Sequence, residues 1–435
     1  MTPNEFRRRR RQLMRIMGKG SIAILPAAPR CVRNNDVHYP YRPDSDFYYL
    51  TGFPEPDAVA VLIPGRKQGE YILFCRERDP DRERWDGPLA GQEGAVQTYG
   101  ADDSFPIDDL DEILPRMLEQ CDKVFYAMGS HPDLDQRMSA WIARIRGKAR
   151  SGVHPPQEFI ALDHHLHDLR LYKSRSEIAV MRRAARISAA AHRELMQTCK
   201  PGLRELDLEG RFIEACYRQG ARHQAYSPIV GGGNNATVLH YINNDQRLED
   251  GDLVLVDAGC ELDYYASDIT RTFPVNGRFS EPQRQLYQLV LDAQLAAIDQ
   301  VRPGNPYDAP HRAAVRVLTR GLVKLGLLKG QPAKLIRDEK YKKFFMHGTG
   351  HWLGLDVHDV GDYKIDGHWR ELEPGMVLTI EPGLYIPRGT KGVARKWQGI
   401  GIRIEDDVLV TRDGHEVLSA DAPKTIEEIE ASMAR

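Results

Sequence analysis

Two aspartates frame the segment VDAGCELDYYASDITRTF (256–273). Asp257 closes an apolar run, LVLVDAG, and Asp268 follows between Ser267 and Ile269. A carboxylate at the end of an apolar strand is costly unless positive charge meets it. Asp263, amid polar neighbours, reads instead as a hairpin turn residue. The pattern then repeats. LEDGDLVLVDAG begins at Leu248 and LEPGMVLTIEPG at Leu372, and each copy follows a helical stretch and a K/R-P-G. In both, a glycine (Gly251, Gly375) stands six residues before an acid (Asp257, Glu381), and another (Gly259, Gly383) stands two residues after it. Two related halves facing each other would bring their equivalent acids together near a pseudo-twofold axis.

Each of these acids needs a partner on the returning strand. Asp268 serves the first copy, and GIRIEDDVLV supplies Glu405 for the second. Alternation with Ile400, Ile402 and Ile404 puts Arg403 and Glu405 on one face. Four acids at apolar strand ends cannot all ionise together without cations. Two divalent ions would balance their charge. Hard carboxylate oxygens without thiolates suit manganese or magnesium, or carboxylate-bound cobalt or zinc.

Nitrogen ligands are sought in FFMHGTGHWLGLDVHDVG. His347 and His351 are four apart, as in the zincin HExxH pattern. The mechanics differ, because Gly348 and Gly350 would each weaken a helix by about 1 kcal/mol and the motif's acid is missing. In an extended segment, residues four apart lie ~13 Å from each other. One is therefore a metal ligand and the other a neighbour or substrate contact, and spacing does not choose between them. His358, and His240 in VLHY, are further candidates.

The elements that would carry these residues fall into two parts. The first 165 or so residues alternate strand-like runs (SIAILPA, AVAVLIP, EYILFC, KVFYAM) with short helical stretches, which predicts a small α/β domain. GVHPPQEFIALDHHLHDLR, rich in Pro and His, reads as an interdomain connection. Beyond it, Ser174 with Glu177 and Ser280 with Gln283 make capping boxes that open two long helices, and two more helices end near Gly220 and Gly326. RRRRR at 7–11 reads as the outer face of a helix capped near Asn4, with Phe6, Leu13, Met14 and Met17 inward. A chain of 435 residues with 41% apolar content implies two or three domains. A net charge of −2 gives no electrostatic case for nucleic acid or a membrane surface as partner. The six cysteines are scattered without CxxC, which suits a reducing compartment. Neither a signal peptide nor a run of ~20 apolar residues stands out, so the expectation is a cytoplasmic protein.

Together VLHY, VDAGCELDYYASDITRTF, HGTGHWLGLDVHD, TIEPGLY and GIRIEDD resemble the M24 metallopeptidases of pita-bread fold, and within them the Xaa-Pro aminopeptidase (aminopeptidase P) group. YPYRPDSDFYYLTGFPEPDAVAVL matches that group's N-terminal domain and KSRSEIAVMRRAARIS its domain junction, so the resemblance covers nearly the whole chain. It implies an N-terminal α/β domain at 1–172, for substrate gating and oligomerisation, and a pita-bread catalytic domain, a pseudo-twofold duplicated α+β unit, at 173–435. It further implies that Asp257, Asp268, His351, Glu381 and Glu405 bind two divalent metal ions, usually Mn2+, with Co2+ or Zn2+ as alternatives. His240, His347, His358, Tyr385 and Arg403 match substrate-pocket or neighbouring positions, and Trp85 in RERWDG matches an N-terminal-domain residue over the site. The implied activity is hydrolysis of the bond before a proline in second position, by a water that the ions acidify. His358 would assist at the developing oxyanion and Glu381 in proton transfer. The implied assembly is a homotetramer, with a homodimer as the alternative. Prolidase, restricted to X-Pro dipeptides, is the nearest other reading, and a non-catalytic binding module that had lost the ligands is a more distant one.

Overall fold

The computed structural model describes residues 1–119 and 121–434. They form two compact units, Met1–Leu169 and Arg170–Arg435.

The N-terminal unit begins with α1 (Pro3–Met17), whose first turn follows Thr2 rather than Asn4 and takes proline at its head. Its arginines do not all face outward. Arg9 and Arg10 are buried, and they donate to the carbonyls of Tyr49 (3.0 Å) and Leu50 (2.8 Å). These carbonyls belong to the last turn of a short helix and have no partner within it. The two guanidiniums also lie over the rings of Tyr49 and Tyr71. Next along the chain come β1 (Ser21–Pro26), a small hairpin of β2 (Val32–Asn34) and β3 (Val37–His38), that short helix α2 (Ser45–Thr51), then β4 (Val59–Leu62) and β5 (Tyr71–Cys75). They are followed by α3 (Pro80–Asp86), α4 (Gly91–Gln97), β6 (Asp103–Pro106), α5 (Leu110–Leu118), β7 (Lys123–Phe125), α6 (Pro132–Arg146), β8 (Glu158–Ile160) and α7 (Leu162–Leu171). Six of the strands make one mixed sheet in the order β6-β5-β4-β1-β7-β8. The stretch expected to be an interdomain connection is thus β8 plus a helix. Leu162 and Leu166, one turn apart, are buried under α7, and its histidines spread around the helix, His165 against Phe125 and His167 beside Asp46.

The second unit is built twice over. Its first half runs α8 (Arg175–Thr198), α9 (Glu205–Arg218), β9 (His223–Gln224), β10 (Ile229–Gly232), β11 (Leu253–Asp257), β12 (Cys260–Leu262), β13 (Tyr265–Ala266) and β14 (Thr270–Pro274). The second half runs α10 (Glu281–Ile298), α11 (Ala309–Lys324), α12 (Pro332–Arg337), β15 (Lys364–Ile365), β16 (His368–Trp369), β17 (Val377–Ile380), β18 (Gly383–Ile386), β19 (Ile400–Arg403), β20 (Asp406–Val410) and β21 (His415–Val417), and α13 (Ile426–Met433) closes the chain. Both long helices α8 and α10 open with the Ser-based capping boxes read in the sequence. The duplication is visible bond by bond. Gly202 N–H donates to Leu248 O and Gly304 N–H to Leu372 O, both at 2.9 Å. Gly251 and Gly375 turn into β11 and β17 with φ of +86° and +97°, a region that favours glycine.

Within each half the apolar strand pairs antiparallel with its return: Asp257 faces Thr270 across β11–β14, and Ile380 faces Asp406 across β17–β20. The halves are stitched where Glu405 N–H donates to Thr270 O (3.1 Å) and the Thr272 hydroxyl donates to Arg403 O (3.0 Å). One hydrophobic cluster, including Phe212, Phe273, Leu286, Leu318, Trp352 and Ile402, runs through both halves and packs the helices against the sheets. Deleting any of its large side chains would cost about 3–5 kcal/mol, so the strand ends that carry the acids rest on a rigid base.

Candidate metal centre

β11 delivers Asp257 at its last position. The chain then makes the small β12–β13 hairpin, turning at Asp263 and Tyr264, both with positive φ. It returns with Asp268 just ahead of β14. Close approach is built into this detour: a Cβ on Gly259 would lie 1.7 Å from Ser267 O. In the other half Glu381 follows β17, and Glu405 lies between β19 and β20. The strand expected to run unbroken through Arg403 and Glu405 is therefore interrupted. β19 pairs with β18 and β20 with β17, and the switch between sheets occurs at Ile404–Glu405. Both side chains still meet at one hydroxyl, since Thr270 donates to Glu405 Oε2 (2.6 Å) and accepts from Arg403 Nε (3.1 Å).

The strap His347–His351 lies extended along the edge of β17. Thr379 N–H donates to His351 O (2.9 Å), Glu381 N–H donates to Thr349 O (2.8 Å), and a Cβ on Gly350 would strike Thr379 O. Its two histidines have different surroundings. His351 Nδ1 contacts Trp352 O (2.9 Å), and its Nε2 lies 3.3 Å from Asp268 and 3.9 Å from Glu381. Both ring nitrogens of His347 have closer partners, Gly348 O (2.6 Å) and the Tyr385 hydroxyl (2.9 Å), although Nδ1 also lies 3.8 Å from Glu381.

Asp257, Asp268, His351, Glu381 and Glu405 line one cavity of about 480 Å3, together with His240, His347, His358 and Arg403. Tyr385 stands behind that wall and accepts from Arg403 (3.0 Å). His358 is exposed, its ring edge-on to His351 at 4.3 Å. Trp85 belongs to the N-terminal unit, where it is exposed on α3. Sequence reasoning passed over two groups in the cavity region. The Tyr226 hydroxyl sits 2.6 Å from Asp257 and 2.5 Å from Asp268. Nothing near QAYSPIV marks it, because it is joined to the acids only by the fold. Thr270 was closer at hand, standing two residues beyond Asp268 at the start of β14.

Charge is concentrated here far beyond what burial tolerates. Burial, then Asp268 and Glu381, push Glu405 well above the usual carboxylate range. Burial pushes Glu381 up to about 7 against the pull of His351 and Arg403. Asp257 also rises, burial outweighing Arg403. Asp268 alone among the four falls: against its burial stand the hydrogen bond and charge of His351, with Tyr226 and Arg403 adding to them. Burial and Arg403 lower His347 to about 3, so its ring is neutral. His351, despite burial, is raised to about 9 by Asp268 and Glu381. Ligand atoms of Asp268, His351 and Glu405 all lie within 4.8 Å of one another. A buried set of four carboxylates and one imidazole, short of positive charge, fits hard divalent cations.

Known proteins resemble this chain along its length. A model of metallopeptidase family M24 matches residues 179–412, and one of the aminopeptidase P N-terminal domain matches 6–126. The Xaa-Pro aminopeptidase of Escherichia coli is 45% identical, over 99% of this chain and 97% of its own length. Human Xaa-Pro aminopeptidase 3 is 37% identical over 98% of this chain and 85% of its own. Among solved structures, aminopeptidase PepP of Pseudomonas aeruginosa superposes with a TM-score of 0.99 at 59% identity, covering 100% of this chain and 98% of that one. No helix among the described residues is long and apolar enough to cross a membrane.

Proposed function

The chain belongs to metallopeptidase family M24, and from that premise we propose that it is a metal-dependent aminopeptidase that removes the residue ahead of a proline in second position. The observation that carries this reading is the convergence of Asp257, Asp268, His351, Glu381 and Glu405 in one cavity. These five would hold two divalent ions. Ions held there would supply Lewis acidity toward the attacking water and the scissile carbonyl.

The chain's own residues do the rest. His358, whose ring lies edge-on to His351 at the cavity, carries an N–H that could meet the developing oxyanion. Glu381 is the carboxylate proposed to carry a proton to the proline nitrogen, which leaves as a secondary amine. Arg403 stays protonated and ties Asp257 (2.5 Å), Thr270 and Tyr385 into one frame. His347, His240 and the apolar Leu239, Ile242 and Val357 offer a wall for the proline ring. That ring has a fixed φ and no N–H to satisfy.

Manganese is the proposed metal, on the strength of a donor set that is all carboxylate oxygen apart from one imidazole. A cytoplasmic location belongs to the same proposal and is supported by six free cysteines. So does a homotetramer, with a homodimer as the alternative outcome of a sedimentation measurement.

The test compares X-Pro with X-Pro-Y peptides, with and without Mn2+. Release of X from X-Pro-Y only in the presence of metal is expected. Cleavage confined to dipeptides would make the protein a prolidase, and hydrolysis of neither would refute the reading.

A further inference from the structure

Glu205, at the start of α9, is fully buried, and all four of its hydrogen-bond partners are uncharged. Oε1 accepts from Gly232 N–H (2.7 Å) and Asn235 Nδ2 (2.9 Å), and Oε2 accepts from the Tyr241 hydroxyl (2.8 Å) and Gln246 N–H (3.0 Å). Its own N–H donates to Gln246 O (2.9 Å). The donors all come from the segment 232–246, and His240 lies inside it, next to Tyr241. From residue 238 to β11 this segment has neither helix nor strand, so its shape depends on side chains.

We propose that Glu205 is the positioning residue for His240: by gathering four donors of one irregular segment, it fixes where that imidazole stands at the cavity. Desolvation opposes burying an acid among neutral groups, so the four bonds first have to offset that cost. What four converging bonds provide is a single geometry. Leu239 and Tyr241, on either side of His240, pack on the cluster of Ile229, Ala236, Leu255 and Tyr385. Tyr385 is the residue bonded to His347 and Arg403. The other half of the unit carries the same device at the same place. Glu205 lies three residues beyond Gly202, and Tyr307 lies three beyond the equivalent Gly304. Tyr307 donates its hydroxyl to Gly350 O (2.6 Å), in the strap between His347 and His351. Each half thus uses one position at the head of its second helix to fasten the segment that brings histidine to the cavity.

The inference rests on the peptidase reading in so far as His240 meets substrate, and the test separates the two. Glu205→Gln turns amide hydrogens toward donors. It is expected to lower kcat/KM for an X-Pro-Y peptide on the order of 10- to 100-fold and to speed amide hydrogen exchange across 232–246. In a His240→Ala background the same substitution should change kcat/KM by less than about twofold, because the residue it positions is gone. Tyr241→Phe, which keeps the ring and removes one donor, should give a smaller loss with the same failure to add, and it decides the matter if Glu205→Gln does not fold. Losses that multiply with His240→Ala, or unchanged exchange in the segment, overturn the proposal. If the wild-type protein with Mn2+ cleaves no X-Pro peptide, the peptidase reading fails instead, and the exchange measurement alone decides whether Glu205 holds the segment.

Discussion

His192 offers a measurable link between protonation and the frame that holds Asp257. Its ring is fully buried on α8, edge-on to Phe212, with Nε2 2.9 Å from Ala258 O, the carbonyl directly after Asp257. Burial lowers its pKa from 6.5 to about 4, partly offset by the Ala258 bond. The unfolded chain therefore takes up a proton near pH 6.5 while the folded chain does not. The stability this site contributes is complete above pH 6.5 and is lost as pH falls toward 4. The limiting loss is about 3 kcal/mol, of which roughly 2 kcal/mol falls between pH 7 and pH 5. The duplication supplies the control. Ten residues before Gly202 stands His192, and ten before Gly304 stands Gln294, which donates through Nε2 to buried Asp406 (2.6 Å). His192→Gln keeps a donor for Ala258 O and removes the titration. Urea unfolding of both proteins in the presence of a chelator, followed by tryptophan fluorescence from pH 7 to pH 5, isolates the term. The remaining titratable groups are common to both proteins and cancel to first order. The wild type should lose about 2 kcal/mol relative to His192→Gln over that range. A difference that stays flat with pH would refute the account of a neutral buried imidazole.

Two further outcomes follow from the cavity and its support. Asp268→Ala should abolish metal-dependent hydrolysis of X-Pro-Y while circular dichroism shows a folded protein; retained turnover would remove Asp268 from the ligand set. Arg271→Met should lower stability by about 3 kcal/mol, read as a fall in melting temperature, because buried Asp406 loses one of its two charged partners, keeping Lys424 (2.7 Å), and the carbonyls of Thr270, Glu405, Ala422 and Pro423 lose their donors.

Much of the catalytic unit was legible because its information is local. Capping boxes, proline–glycine helix stops and the strand-ending acids each occupy a few consecutive residues, and the repeat at Leu248 and Leu372 exposed the symmetry. What was not legible is set by contacts between distant segments. Nothing in RRRRR says that two arginines turn inward, since the reason lies in carbonyls at the end of α2, 40 residues away. Likewise DHHLHD hid a helix because its histidines drew attention from the leucine spacing that buries Leu162 and Leu166. Tyr226 and Glu205 belong to the same class, since each becomes informative only once the fold sets its partners beside it. The break between Arg403 and Glu405 escaped for another reason: alternation persists across a switch of sheets, so period two does not reveal it.

Duplication also explains why the charge sits where it does. One half alone presents two carboxylates, Asp257 with Asp268 or Glu381 with Glu405, at the end of an apolar strand. Such a pair is open to water and needs little compensation. Packing the halves face to face brings all four into one largely buried environment, in which burial and neighbouring acids raise Asp257, Glu381 and Glu405. The cost is borne by the halves' common core and by the bonds at Thr270 and Thr272 that join them. The same packing leaves room for the halves to differ at matching positions. His192 and Gln294 brace different groups beside the acids, and Glu205 and Tyr307 fasten different histidine-bearing segments. Both halves carry acids at their strand ends, whereas their helices carry different polar residues at matching positions. Each of those helix residues meets the segment it holds through its own bond or set of bonds, and the kind of bond differs between the halves.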